Sequence, residues 1–274
     1  METTTRSILV PLDFTSLSDF ALQHANNIAK VMGHTITLLH IVSSKKAEDE
    51  ALRKLDEIAT ENTQKTGIET TKLVVTGDIY KLIPDLASDE KYALGVMKTD
   101  GVSGMQKYVG SKAIKIMRGA KNPFIVVQKA PAPIEFATIV YPIDFRTENK
   151  ELLSYFFYLS KHYKLKLHLF KAKTSDKIYK KNITNNLAYT KQYLESKQME
   201  YYIETAAGEK SYAEEVNDYA NKVNADLILI QLQRNLTLTK FLFGVKEQKI
   251  IANPYKIAVM CVNPLETTVY GGFR

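Results

Sequence analysis

The sequence predicts an α/β protein built from two tandem open parallel sheets with helices on both faces. Residues 7–15 (SILVPLDFT) return as residues 138–146 (TIVYPIDFR), displaced by 131 positions. Asn122-Pro123 returns as Asn253-Pro254 at the same displacement. In both halves, short apolar strand-like segments alternate with helix-like segments, the order that right-handed βαβ crossovers produce.

The first half contains five predicted strands and four predicted helices. Ser and Thr residues followed by Asp19 indicate a helix start after the first strand, and Gly33 ends that helix. Spaced apolar residues make residues 47–66 an amphipathic helix. The strands are expected at 7–12, 35–42, 71–76, 92–97 and 124–128, and the later helices at 79–87 and 111–118.

The second half repeats this order. Strands are expected at 138–143, 165–170, 201–205, 227–231 and 257–262, and helices at 150–163, 177–198, 212–223 and 245–252. Two prolines in residues 129–133 indicate an extended connection, which places the domains at 1–132 and 133–274. The last strand of each half is apolar, and an unpaired apolar edge invites aggregation, so we expect the two last strands to meet about an internal pseudo-twofold.

Composition indicates a soluble, cytoplasmic protein. Apolar residues make up 45% of the chain and charged residues 24%, and no apolar run is long enough to span a membrane. Cys261 stands alone in an apolar run and is expected to be a buried hydrophobic residue rather than a redox thiol. The net charge of +7 is diffuse and no nucleic-acid motif accompanies it, so no nucleic-acid partner is expected. A lysine cluster over residues 171–181 is a solvated helix face or a polyanion-binding patch.

Aromatic residues are distributed unequally between the halves. The first half has 3 Tyr and 3 Phe, and the second has 13 Tyr and 8 Phe. This surplus indicates a bulkier core with a tyrosine-rich inter-domain face, or a remodelled apolar ligand cavity.

The candidate site is expected at the carboxyl ends of the first-half strands, where open parallel sheets bind ligands. The loops there carry Pro11 and Asp13, then His40 and Ile41, and finally the segment 97–111. Glycines in that segment let backbone N–H groups turn inward, and Gly110-Ser111 opens a helix whose N-terminus suits a phosphate. A serine in this position is also a common helix cap, and His40 is expected to be structural.

Taken together, the Pro-x-Asp-Phe strand end, the Leu-Leu-His-Ile-Val second strand and the glycine loop before Gly-Ser resemble the universal stress protein family. The resemblance covers nearly the whole chain as two copies. It implies five-stranded parallel sheets of order 3-2-1-4-5 and pairing of two domains through their last strands. It also implies an ATP site in some members, with a Gly-x2-Gly-x9-Gly-Ser/Thr loop.

Residue by residue, the resemblance assigns Asp13 and its neighbour Pro11 to the adenine side, and the Ile41 backbone to the border of the base. Met97 falls on the Met before the first loop glycine, Gly101 on the second glycine, and Gly110 and Ser111 on the last phosphate contact. Lys98 replaces the first glycine, and eight residues instead of nine follow Gly101. The Lys98 side chain either clashes with the ribose and phosphates or supplies a positive charge to them.

The second half departs further from this pattern. Asp144 keeps the acid, but Gln231 and Arg234 stand at the first two glycines and Val245 follows Gly244 in place of Ser or Thr. The resemblance therefore favours nucleotide binding in the first half alone.

The expected function is a non-enzymatic stress-response module that binds ATP or another adenine nucleotide through its first half, with weak hydrolysis left open. The alternative is a nucleotide-free module for protein interaction or a small apolar ligand. An adenylate-forming or electron-transfer enzyme is a third hypothesis. The internal pseudo-dimer is the expected partner arrangement, and a homodimer or an unidentified protein partner is left open.

Overall fold

A computed structural model of the chain describes residues 5–15, 18–99, 109–131, 136–146, 152–232 and 244–264. The first-half strands are β1 (Ser7–Pro11), β2 (Thr35–Val42), β3 (Thr70–Thr76), β4 (Tyr92–Lys98) and β5 (Phe124–Val127). The first-half helices are α1 (Ser18–Met32), α2 (Glu48–Thr66), α3 (Ile79–Ala87) and α4 (Val109–Met117). A 3-10 turn at Lys45–Ala47 precedes α2.

The second half contains the same series of elements. Its strands are β6 (Thr138–Ile143), β7 (Lys166–Lys171), β8 (Tyr201–Thr205), β9 (Leu227–Gln231) and β10 (Ala258–Val262). Its helices are α5 (Leu152–Ser160), α6 (Lys177–Ser196), α7 (Tyr212–Lys222) and α8 (Gly244–Ile251). None of the described helices is both long and apolar enough to cross a membrane.

Local sequence signals explain several helix ends. The Asp176 carboxylate accepts hydrogen bonds from the Ile178 and Tyr179 backbone N–H groups, which are among those that a helix start leaves unpaired. The N-terminus of α7 is closed by a reciprocal Ser211–Glu214 capping box. These caps place the two long second-half helices at the positions that the sequence predicts.

The ten strands of the described residues form one sheet in the order β3-β2-β1-β4-β5-β10-β9-β6-β7-β8. Each half has the predicted order 3-2-1-4-5 and its pairs are parallel, whereas β5 and β10 are antiparallel. The predicted meeting of the last strands is therefore confirmed. Apolar side chains alternate between the sheet faces, and one buried cluster on each face contains residues from both halves.

Equivalent residues of the two last strands are further apart in the chain than the 131 positions that separate the matched sequence segments. Leu9 of β1 and Phe124 of β5 lie in register on either side of β4. Val140 follows Leu9 by 131 positions. It lies in register with Val259 of β10, on the opposite side of β9. Phe124 and Val259 are therefore equivalent, 135 positions apart, so the second half has four additional residues, 255–258, after its Asn-Pro dipeptide.

The centre of the join is the pair Ile125 and Met260, which face each other and are themselves 135 positions apart. The pseudo-twofold axis passes through this pair. Cys261 is next to it and is buried, and burial raises the pKa of its thiol. Cys261 is thus an apolar member of the join, as the sequence predicts.

Two amides make reciprocal polar contacts between the halves. Gln128, just after β5, donates from Nε2 to the Ile251 carbonyl at the end of α8, 2.8 Å away. Asn263, just after β10, donates from Nδ2 to the carbonyls of Met117 and Ala120 at the end of α4, 2.7 and 2.9 Å away. Each half therefore satisfies carbonyls at a helix end of the other half.

A polar cluster on the α1 and α5 face also joins the halves. His34 Nε2 lies 3.0 Å from the Tyr158 hydroxyl, which also accepts from Arg6 Nη2 at 3.4 Å. The Arg6 backbone N–H faces His34 Nδ1 at 3.5 Å. Burial, followed by the charges of Arg6 and His162, lowers the pKa of His34 from 6.5 to about 4.

This cluster predicts loss of stability in mild acid. Between pH 6.5 and about 4 the unfolded chain binds a proton at His34 and the folded chain does not, so the free energy of unfolding falls as the pH falls. Urea unfolding across this range is expected to show a shallower pH dependence for His34→Gln than for the natural chain. The dependence is reduced rather than abolished, because burial also lowers the pKa of His24, His162 and His168. Equal slopes for the two chains would contradict this assignment.

Candidate functional site

The predicted site residues on β1, β2 and β4 lie at the carboxyl edge of the first-half sheet. Pro11 ends β1, and Asp13 follows it by two positions. Ile41 is the next-to-last residue of β2, and Met97 is the next-to-last residue of β4 and is buried. Because β1 lies between β2 and β4, the fold brings these four residues to one edge.

The phosphate side of the predicted site is only partly described. The helix α4 begins at Val109, two positions earlier than the sequence predicts, so Gly110 and Ser111 lie in its first turn rather than at its border. Backbone N–H groups in a first turn have no acceptor within the helix, so this placement keeps them suited to an anion. Gly101 lies outside the described residues.

Lys98, the residue that replaces the first loop glycine, is paired with Asp13. Lys98 ends β4, and its Nζ lies 3.3 Å from Asp13 Oδ2 and donates to the Thr15 hydroxyl. The Thr15 hydroxyl and backbone N–H in turn donate to Asp13 Oδ1, at 2.7 and 3.1 Å. The acid assigned to adenine is therefore held by a cation of the same domain. The Asp13 side chain is 57% exposed, whereas the Lys98 side chain is 16% exposed.

His40 holds the turn that carries Asp13. Its Nδ1 donates to the Leu12 carbonyl at 2.7 Å, so the ring has its proton on Nδ1. The Phe14 ring lies over the imidazole with centroids 4.1 Å apart, and the Phe14 backbone has φ +57°, which is rare for a bulky residue. This role for His40 agrees with the structural one expected from the sequence.

The equivalent edge of the second half is centred on Arg146, which stands where the first half has Thr15. The Arg146 Nε donates to both Asp144 oxygens at 2.8 and 3.1 Å, and its Nη1 donates to Glu247 Oε1 at 2.8 Å. Burial opposes the charge on Arg146, but the two carboxylates outweigh it and raise its pKa. The Asn186 amide donates to the carbonyls of Asp144 and Arg146, which fixes the turn beneath.

These side chains fill the second-half edge. The Asp144 and Glu247 side chains are 7% and 5% exposed. The cavity that Asp144, Arg146, Gln231 and Glu247 help to line has a volume of about 20 Å³. That is enough for about one water molecule, whereas small-molecule pockets occupy hundreds of cubic ångströms. By sheet register, Gln231 occupies the place that Lys98 has in the first half.

Sequence reasoning missed both ion-pair arrangements. The signal was present in the repeat itself, because the matched segments SILVPLDFT and TIVYPIDFR end in Thr15 and Arg146. A threonine replaced by an arginine two positions after an acid indicates a new ion pair. The involvement of Glu247 carries no such signal, because α8 approaches Asp144 only in the folded chain.

The two edges predict different costs for removing their cations. Arg146→Met leaves Asp144 and Glu247 buried without their partner, and we expect it to lower the free energy of unfolding by about 3–5 kcal/mol. Lys98→Met is the matched control and should cost within about 1 kcal/mol, because Asp13 stays hydrated. Urea unfolding of both variants checks this. Asp144→Asn with Glu247→Gln should restore part of the loss in the Arg146→Met background, and equal small losses for both single variants would refute the difference.

Comparison with known proteins gives the fold of the whole chain and the family that its first half matches. The model of the Universal stress protein family matches residues 4–128. A search of curated proteins gives no match. Among solved structures, a universal stress protein from Archaeoglobus fulgidus DSM 4304 is 17% identical, with 96% of this chain and 98% of that chain covered and a TM-score of 0.72. A functionally unknown protein from Pseudomonas aeruginosa PAO1 is 18% identical, with 96% and 94% covered and a TM-score of 0.68.

At these identities the solved structures show the fold of the whole chain, and the family model gives the sequence relationship of its first half. The first half, residues 4–128, therefore carries the pattern of the universal stress protein family, and the second half repeats its fold.

Proposed function

We propose that this chain is a non-enzymatic stress-response module that binds ATP or another adenine nucleotide in its first half only. The observation that supports this most strongly is the contrast between the two acids. Asp13 is half-exposed, so its ion pair with Lys98 is open to water on the carboxylate side, whereas Asp144 is enclosed by Arg146 and Glu247. Only the first-half acid is accessible to a ligand without disrupting a buried ion network.

In the proposed complex, Asp13 accepts a hydrogen bond from the adenine amino group, and the backbone at Ile41 borders the base. Pro11 and Met97 shape the floor at the ends of β1 and β4. The first turn of α4, with Gly110 and Ser111, receives the phosphates together with Gly101. This assignment rests on the shared strand edge and the helix N-terminus.

Lys98 has a definite role in this proposal. Because the Asp13 carboxylate is half-exposed, we expect its ion pair with Lys98 to contribute about 0–1 kcal/mol, so releasing Lys98 costs little. The freed ammonium then pairs with a phosphate, which is a better partner because it carries more charge. The residue that departs from the family pattern thus becomes a phosphate ligand instead of an obstruction.

The proposal assigns no catalytic base. His40, the histidine at this edge, uses Nδ1 on the Leu12 carbonyl and packs against Phe14, so its orientation is fixed by the turn. The second half serves as the structural partner that covers the β5 edge.

The Lys98–Asp13 pair also favours a second candidate function, a nucleotide-free binding module. In this alternative the ion pair is a permanent substitute for the ligand, and the chain acts through protein contacts or an apolar ligand.

Calorimetric titration of the full chain with AMP, ADP and ATP distinguishes the two functions. Asp13→Asn should weaken binding of all three nucleotides about tenfold, because it removes a charge-assisted contact to the common base. Lys98→Met should weaken ATP binding more than AMP binding, because Lys98 acts on the phosphate chain. Asp49→Asn, an exposed acid on α2, is the matched control and should change nothing.

The absence of saturable heat with all three nucleotides would overturn the nucleotide proposal and favour the alternative. Tighter ATP binding in Lys98→Met would keep the site but refute the phosphate role of Lys98.

A further inference from the structure

A second cavity lies between the two halves and contains none of the residues proposed for the nucleotide. Its volume is about 520 Å³, which is within the range of small-molecule pockets. Helix α1 and the end of β5 form one side, and residues before and at the start of β10 form the other. Residues 129–131 and Phe136 of the connection complete the lining.

The inner walls of this cavity are apolar. Ile28 and Val127 of the first half and Ala258 of the second half are buried side chains that line it. Phe136 and Tyr163 form an aromatic wall, with ring centroids 5.4 Å apart. A hydrocarbon chain or a ring placed here would exchange water contacts for apolar contacts.

The charged side chains that line the cavity are mostly cationic. Lys30, Lys129 and Lys256 line it, are exposed, and form no ion pair among the described residues. Among the described residues of the lining the one acid is Asp226, whose Oδ2 accepts from two backbone N–H groups at the start of β6, 2.8 and 2.9 Å away. His24 donates to the Lys129 carbonyl, and burial lowers its pKa, which favours the neutral ring. The described part of the lining therefore carries a net positive charge at neutral pH.

On the side of the second half, three of the four additional residues 255–258 line the cavity. Lys256, Ile257 and Ala258 belong to the four additional residues before the position equivalent to Phe124. Lys256 has a left-handed backbone with φ +55°. The buried Asn253 side chain holds this turn through two hydrogen bonds to the Ile257 backbone, at 2.8 and 2.9 Å. A lysine is thus fixed at the border of an apolar space.

We propose that this cavity binds a small amphipathic anion, a molecule with an apolar chain or ring and one carboxylate. The apolar body lies against Ile28, Val127 and the Phe136–Tyr163 wall, and the carboxylate pairs with Lys30 and Lys256. The site needs both halves and the connection between them, so it is a property of the tandem chain. It is independent of the nucleotide proposal.

The test is calorimetric titration of the full chain with decanoate, below its micelle concentration, and with decanol as the uncharged analogue. Decanoate should bind with a stoichiometry of one, and decanol about tenfold more weakly. Lys30→Gln with Lys256→Asn should weaken decanoate binding about tenfold, asparagine being chosen because it tolerates a left-handed backbone. Lys180→Gln with Lys222→Gln is the control with equal charge loss at exposed positions outside the cavity.

A steric variant tests the cavity itself. Ala130→Trp, on the exposed connection, should reduce decanoate binding without any charge change, while saturating ATP should leave the decanoate isotherm unchanged. Thermal melts of all variants establish that they are folded. No saturable decanoate binding, equal affinity for decanol, unchanged affinity in the Lys30 and Lys256 variant, or displacement by ATP would each overturn the proposal.

Discussion

The antiparallel pairing of β5 with β10 is the interaction on which the rest of this structure depends. Two apolar edge strands that would otherwise be open to aggregation satisfy each other's backbone groups. The pairing makes one ten-stranded sheet, so the apolar clusters on both faces continue from one half into the other. It also brings α4 and α8 together, along with the Gln128 and Asn263 contacts that cross between the halves.

Within this symmetric frame the two carboxyl edges have become chemically different. Both halves keep an acid after their first strand, and both pair it with a cation from their own domain. The first half uses Lys98 from β4 and leaves Asp13 in water. The second half uses Arg146 from the same turn and adds a second acid from α8, which excludes water from the network. The proposed function needs the first edge to exchange its partner for a ligand, whereas the second edge is a buried ion network.

The aromatic surplus of the second half has several structural destinations. Tyr158 makes a hydrogen bond between the halves, and Tyr163 lines the inter-half cavity. Tyr219 of α7 stacks on the Phe170 ring. The hypothesis of a tyrosine-rich inter-domain face accounts for part of this surplus, and the hypothesis of an apolar ligand cavity stays a proposal. Other tyrosines, such as Tyr202 on the edge strand β8, remain exposed.

By itself the sequence determined the strand and helix order and the contact of the last strands, because periodicity, caps and edge satisfaction are local or general constraints. The division into domains at 1–132 and 133–274 stays a prediction. The resemblance added the strand order, which the structure confirms. It also added the candidate site residues, which stay a prediction: Pro11, Asp13, Ile41, Met97, Gly101, Gly110 and Ser111. Only the tertiary structure decided that Lys98 pairs with Asp13, that Glu247 seals the second edge, and that the connection and the lengthened turn enclose a cationic cavity. These features join side chains far apart in the chain, and the distances between them are set by sheet register and helix packing rather than by residue spacing.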